Sequence, residues 1–267
     1  MNLLVCVKQV PDTTEIKIDP ETHRLIRKGV PSILNPFDAY AFEMAARIKD
    51  VHSDAKIIVL SMGPDQAKNA LRECLAIGAD NAYLLSDRAF GGSDTLATSY
   101  ILSEGIKKVA ELEGDFDVIF CGKQAIDGDT AQVGPEIAEH MDLPQITYGL
   151  EAEYKEDGLC VTRETDEGKE ILEAEMPCLV TVTKPDFEPR FPTIKGKLAA
   201  RKKEIVTLTS EDLSTIDLMQ AGLKGSPTKV KSTFTPEIKA GGLMIEAETS
   251  EEAAEKLANM LESKNII

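Results

Sequence analysis

Continuous apolar runs alternating with segments of helical period fill the first 141 residues and leave little freedom in the choice of fold. Leu3–Val7, Lys56–Met62, Ala82–Leu85 and Asp117–Cys121 read as strands. Leu3–Val7 is apolar throughout, the pattern of a parallel strand covered on both faces. Helices are predicted from about Phe37 to Lys49, Asp65 to Ile77, Thr95 to Leu112 and Ala131 to Met141. In the first of these, Ala41, Met44, Ala45 and Ile48 fall at helical spacing. Ser93 or Asp94 is the expected N-cap of the third. Strand and helix in alternation imply an α/β fold with a doubly wound, mainly parallel, Rossmann-like sheet. Ligands of such sheets sit beyond the carboxyl ends of the strands. Four segments would converge there: the turn after Val7, Met62-Gly63-Pro64, the Gly91–Asp94 loop and the Cys121–Gly134 loop.

The rhythm changes after the fourth helix. Ile146–Tyr154, Leu159–Thr165, Glu170–Ala174 and Leu179–Thr183 read as a β-rich continuation, while Glu15–Arg27, between the first strand and the first helix, reads as an alternating hairpin. Asp157-Gly158 is a hairpin turn signal. Residues 186–203 read as a basic loop without acidic residues from Pro189 to Lys203. From Glu204 the chain reads as an extended arm that needs something else to pack on. It ends in an amphipathic helix over Glu251–Ser263, with Ser250 as N-cap. The domains expected are therefore 1–185, 186–203 and 204–267.

The formal net charge of −16 disfavours nucleic acid and anionic membrane as partners. No apolar stretch approaches the roughly 20 residues of a membrane span. The N-terminus runs straight into a strand, so no signal peptide is expected. Cys6, Cys74, Cys121, Cys160 and Cys178 are scattered and lack CxxC spacing. They read as reduced thiols of a cytoplasmic protein, not as a metal site or disulfide framework.

The stretch with the most chemistry is Cys121–His140, CGKQAIDGDTAQVGPEIAEH. Glycines between a strand and a helix let backbone N–H groups approach an anion, and the helix dipole favours it. The loop is neither a P-loop nor GxGxxG. One reading makes the glycines turn residues and Asp129 or Thr130 a cap. The other makes the loop a nucleotide cradle whose carboxylates, Asp127 and Asp129, face ribose or cap backbone and point away from phosphate. Nothing in the chain forms a nucleophile or proton-relay constellation.

The same residues carry a family resemblance. CGKQAIDGDTAQVGPEIAE is similar to the corresponding loop of electron transfer flavoprotein β subunits. VCVKQVPD (Val5–Asp12), NPFDAYAFEMA (Asn35–Ala45), SMGPDQA (Ser61–Ala67) and VTRETDEGKEILEAEMPCLVT (Val161–Thr181) agree in order along nearly the entire chain. The family implies a heterodimer with an α subunit that carries an electron-transferring FAD. In its housekeeping branch the β subunit binds AMP structurally. In its bifurcating branch it binds a second FAD. That FAD takes hydride from NADH and divides the electrons between the α-subunit FAD and ferredoxin or flavodoxin. PDTTEIKID (Pro11–Asp19) and DGDTAQVGP (Asp127–Pro135) resemble the bifurcating branch more; AMP remains the alternative.

The resemblance also implies site residues. Cys6 and Asn35 lie against the adenosine half, chiefly through backbone groups, and Met62 covers the adenine. Gly122, Gln124, Gly128, Thr130, Gln132, Val133 and Gly134 wrap the pyrophosphate. Asp38, Asp94, Thr95 and Thr98 are flavin-side or NADH-side contacts. Each of these has a local packing or capping reading as well. The basic segment becomes a docking loop for an acyl-CoA dehydrogenase. Ile194 is its apolar anchor, Leu198 lies nearby, and Arg190, Lys195 and Lys197 surround them.

Overall fold

The computed structural model describes residues 1–12, 31–155, 158–231 and 241–267. Through them the chain forms β1 (Asn2–Cys6), β2 (Gln9–Pro11), β3 (Ser32–Leu34), α1 (Pro36–Val51), β4 (Lys56–Met62) and α2 (Lys68–Ile77). There follow β5 (Asn81–Leu85), α3 (Thr95–Glu113), β6 (Val118–Gly122), α4 (Val133–Met141), β7 (Gln145–Lys155) and β8 (Gly158–Thr165). The remaining elements are β9 (Gly168–Ala174), β10 (Cys178–Val182), α5 (Ile194–Lys202), β11 (Val206–Leu208), α6 (Gly222–Gly225) and α7 (Ser250–Ser263).

A nine-stranded sheet runs in the order β11-β5-β4-β1-β6-β10-β7-β8-β9. Its strands pair in parallel from β11 to β7, and β8 and β9 add an antiparallel edge. The apolar runs go to two cores because successive strand side chains point to opposite faces. Leu3, Val5, Phe120 and Val180 bury one way, under Phe42 of α1, Leu71 of α2 and Ala200 of α5. Leu4, Cys6, Ile119 and Leu179 bury the other way, under Ile101 and Ile106 of α3 and Ile137 of α4. The β-rich continuation is therefore no separate layer: β10 slots between β6 and β7 in the same sheet.

Helix ends follow local chemistry. Pro36 opens α1, where its missing N–H costs nothing. Asp94 caps α3 by accepting from Ala97 N at 3.1 Å. Gly78 and Gly114 end α2 and α3 at φ 129° and 94°, a region that favours glycine.

Two expectations change, and a third falls on residues that are not described. The hairpin over Glu15–Arg27 lies outside the described residues. The basic segment is not all loop, since Ile194–Lys202 is helical. Thr193 caps Gly196 N at 2.9 Å, Arg201 and Lys202 sit in the last turn where the dipole favours cations, and Ala200 is buried. Gly196 permits the approach to α2, because a Cβ there would lie 2.2 Å from Ala76 O. The stretch after Glu204 also has its own packing. β11 pairs with β5, and Leu208, Leu213 and Ala221 are buried in the α3–α4 core.

Residues 241–267 belong to a second compact unit. In it Thr249, not Ser250, caps α7 by accepting from Glu252 N at 3.2 Å. Lys256 pairs with Glu252 at 2.7 Å and donates to Glu246 O. Leu243, Met244 and Leu257 are exposed. No helix among the described residues is long and apolar enough to cross a membrane.

Gly134 sets the distance from α4 to the sheet: a Cβ there would lie 2.5 Å from Thr181 Cγ2. Gly134→Ala is expected to lower the unfolding free energy by about 1–3 kcal/mol. Thr181→Ser, which removes the methyl and keeps the hydroxyl, should restore part of that loss. A denaturant double-mutant cycle with no coupling between the two positions would contradict this contact.

Candidate functional site

The order in which strands are added to the sheet reverses at β1. The connection after β1 leads to α1 on one face, and the connection after β6 leads to α4 on the other. The carboxyl ends of these two neighbouring strands flank the crevice position at which doubly wound sheets bind ligands. Cys6 and Cys121 stand opposite each other in register at its floor, both buried. The bond to Cys6, together with burial, pushes the Cys121 thiol well up, so it is a packing group and no nucleophile.

The N-terminus of α1 fastens the crevice. Asn35 is 1% exposed. Its side chain donates to Gln124 O at 2.8 Å and accepts from Ile126 N at 3.2 Å, while its backbone N donates to Lys8 O. One side chain thus stitches the loop after β6 to the end of β1. Asp38, also buried, accepts from Lys8 N at 2.6 Å. Gly122 has to be glycine because a Cβ would lie 2.3 Å from Asp38 Oδ1 and 2.7 Å from Phe37 C. Burial pushes the Asp38 carboxyl up to about 7, against the pull of Asn35 and of the Lys8 and Gly122 backbones. The side chains of Asn35 and Asp38 thus hold protein groups.

The loop Lys123–Gln132 is laced from within. Asp127 pairs with Lys8 Nζ at 2.6 Å, and Asp129 accepts from Gln124 Nε2 at 2.8 Å. Both carboxylates are thereby occupied. Asp129 and Ala131 sit at φ 53°, where a non-glycine residue is strained. Gly128 between these features is different. A Cβ there would meet nothing within 4 Å, and its φ lies outside the left-handed region. Gln132 precedes α4 without capping it by its side chain. The N–H groups of Val133 and Gly134 accordingly have no acceptor within the helix. Lys123 Nζ lies 4.9 Å from the centre of the Tyr148 ring.

On the α3 side, Thr95 Oγ1 donates to Glu136 Oε1 at 3.2 Å, joining the first turns of α3 and α4. Asp94 is consumed locally. Burial would raise its carboxyl, but the bonds from Thr228 and Ala97 hold it below the usual range. Thr98 N donates to Asp94 O. Met62 closes β4, half-buried against the α3–α4 core. The structure thus gathers Cys6, Asn35, Asp38, Met62, Asp94, Thr95, Thr98 and Gly122–Gly134 at the carboxyl end of the parallel strands.

The basic segment lies elsewhere, against α1 and α2. Arg190 is no free cation: its guanidinium binds Glu43 at 2.8 Å and Asp50 at 2.7 Å. Ile194 and Leu198 are 82% and 55% exposed, beside Phe191 at 91%. Sequence reasoning missed Glu136 and the Lys8–Asp127 pair, because each partner is remote along the chain.

Residues 22–213 match the electron transfer flavoprotein domain family. The chain is 55% identical over 256 residues to the electron transfer flavoprotein subunit beta of Megasphaera elsdenii, covering 95% of this chain and 94% of that one. It is 48% identical to the caffeyl-CoA reductase-Etf complex subunit CarD of Acetobacterium woodii, over the whole of both chains. It is 43% identical to the acryloyl-CoA reductase electron transfer subunit gamma of Anaerotignum propionicum, again over the whole of both. The chain belongs to the electron transfer flavoprotein family, among its β subunits.

Asp38 makes stability depend on pH with a defined sign. Its folded pKa lies above the unfolded one, so the folded state binds the extra proton between about 4 and about 7. Stability from this group is fully present below about 4 and is lost as pH rises through about 7. Relative to Asp38→Asn, the native chain should lose up to about 1.4 kcal/mol per pH unit across that window. Parallel denaturation profiles of the two proteins from pH 5 to pH 8 would contradict it.

Proposed function

We propose that this chain is the β subunit of a heterodimeric electron carrier and seats FAD in the crevice between β1 and β6. The observation that carries this reading is Gly128. Neither a left-handed turn nor any neighbour within 4 Å calls for glycine there. Space kept open at the tip of a laced, strained loop suits a ligand larger than the loop itself needs.

The chain's own groups fit a dinucleotide. The uncapped N–H groups of Val133 and Gly134 and the Thr130 hydroxyl face the pyrophosphate position, with Gln132 beside them. Gln124 and Lys8 hold Asp129 and Asp127 in place, which keeps two negative charges from turning on the phosphates. Cys6 and Met62 supply the apolar bed for the adenosine half. Asn35 and Asp38 act on the loop that touches the nucleotide. Thr95 and Thr98 stand on the NADH side. When bound, the flavin would supply hydride acceptance from NADH and one-electron transfer onward to the α-subunit FAD and to ferredoxin or flavodoxin. The relatives whose names include caffeyl-CoA reductase and acryloyl-CoA reductase support an electron carrier that serves CoA-ester oxidoreductases. An acyl-CoA dehydrogenase is the proposed dehydrogenase partner. It would dock on the exposed Phe191, Ile194 and Leu198, ringed by Lys195 and Lys197. Arg190, tied to Glu43 and Asp50, would brace that surface from behind.

Two outcomes follow. Gly128→Leu should leave the fold intact, since the space around it is empty, and lower FAD in the β subunit at least about tenfold, the cost of overfilling a fitted contact. A β subunit that keeps its full nucleotide content in this variant would favour the smaller AMP. Ile194→Ala should slow electron transfer to an acyl-CoA dehydrogenase by about tenfold, as truncation of an exposed anchor does. Nucleotide content should stay unchanged; undisturbed transfer kinetics would remove Ile194 from the docking surface.

A further inference from the structure

The segment Ala221–Thr228 is bound to the loop that starts α3, and it does so through Asp94. Thr228 donates twice to Asp94 Oδ2, from its N at 2.9 Å and from its Oγ1 at 2.8 Å. Ser226 Oγ accepts from Asp94 N at 2.9 Å and donates to Gly222 O at 2.7 Å. Gly222 N donates to Ser93 Oγ at 3.1 Å. Gly222 itself has φ 60°, and a Cβ there would lie 2.1 Å from Ala89 O, so the strap can lie this close only with glycine. Asp94 Oδ1 meanwhile caps Ala97 N. Both oxygens of Asp94 are thus occupied inside the chain. These bonds fix the direction of a carboxylate that stays ionised at the start of α3.

We propose that Ser226 and Thr228 are positioning residues of the nucleotide site: through Asp94 they set the first turn of α3, with Thr95 and Thr98, against the first turn of α4. The inference rests on the nucleotide reading of the crevice and adds two residues to it. Neither touches the nucleotide. They act on the direction of the Asp94 carboxylate and on the α3 N–H groups beside the crevice.

The test uses the full heterodimer, with FAD and AMP each titrated as probes and melting temperature measured without nucleotide. Thr228→Val keeps the backbone donor and loses the hydroxyl. It is expected to weaken the bound nucleotide about tenfold, the scale of one lost bond to a charged acceptor. Thr228→Ser should bind as the native protein does, and Ser226→Ala should follow Thr228→Val in direction. Unchanged affinity in Thr228→Val would overturn the inference. A lowered melting temperature with unchanged affinity would also overturn it, leaving the strap a structural tie. If the native heterodimer binds neither probe in this subunit, the nucleotide reading itself fails and the inference goes with it.

Discussion

Two buried polar residues at the start of α1 hold the candidate site together. Asn35 and Asp38 lie within four residues of each other, yet they fasten the end of β1 and the loop after β6 at once. Buried polar groups of this kind cost several kcal/mol when unpaired, so their partners are strongly specified. Gly122 belongs to the same arrangement, because any side chain there would push α1 away from β6. The crevice, its loop and the approach of α4 all depend on that junction.

Charge is handled in a way that would let an acidic chain hold the proposed nucleotide. The formal net charge is −16, and the loop over the crevice carries Asp127 and Asp129. Each is occupied, by Lys8 and by Gln124. The Asp94 carboxylate accepts from Ala97 and Thr228. The groups left without an acceptor are the N–H groups of Val133 and Gly134 at the start of α4, whose partial positive charge does not depend on a basic side chain. The Lys8–Asp127 pair is half-exposed and adds little stability; its effect is to fix the loop.

The parallel sheet was legible because buried strands need unbroken apolar runs, and helices need period 3.6. Lys56–Met62 matches its strand to the residue. Asp94 was legible as a cap for the same local reason. The helix Ile194–Lys202 was hidden by its basic residues, which suggest a solvated loop until Thr193 and the contact with α2 are seen. The packing after Glu204 was hidden because β11 is only three residues long. Within the candidate site, the loop after β6 was readable from motifs as one functional stretch, but the partners of its residues were not. Lys8 and Asp127 are 119 residues apart, and Asp94 and Thr228 are 134 apart. No local pattern carries such pairings; only the folded sheet brings them together.

The central claim is that the crevice between β1 and β6 seats a flavin. The most direct test is the FAD and AMP content of the protein purified with its α subunit, by acid extraction and chromatography. The account predicts two FAD per heterodimer and no AMP. One FAD with one AMP would contradict it, and would make this chain a structural nucleotide holder without redox chemistry of its own.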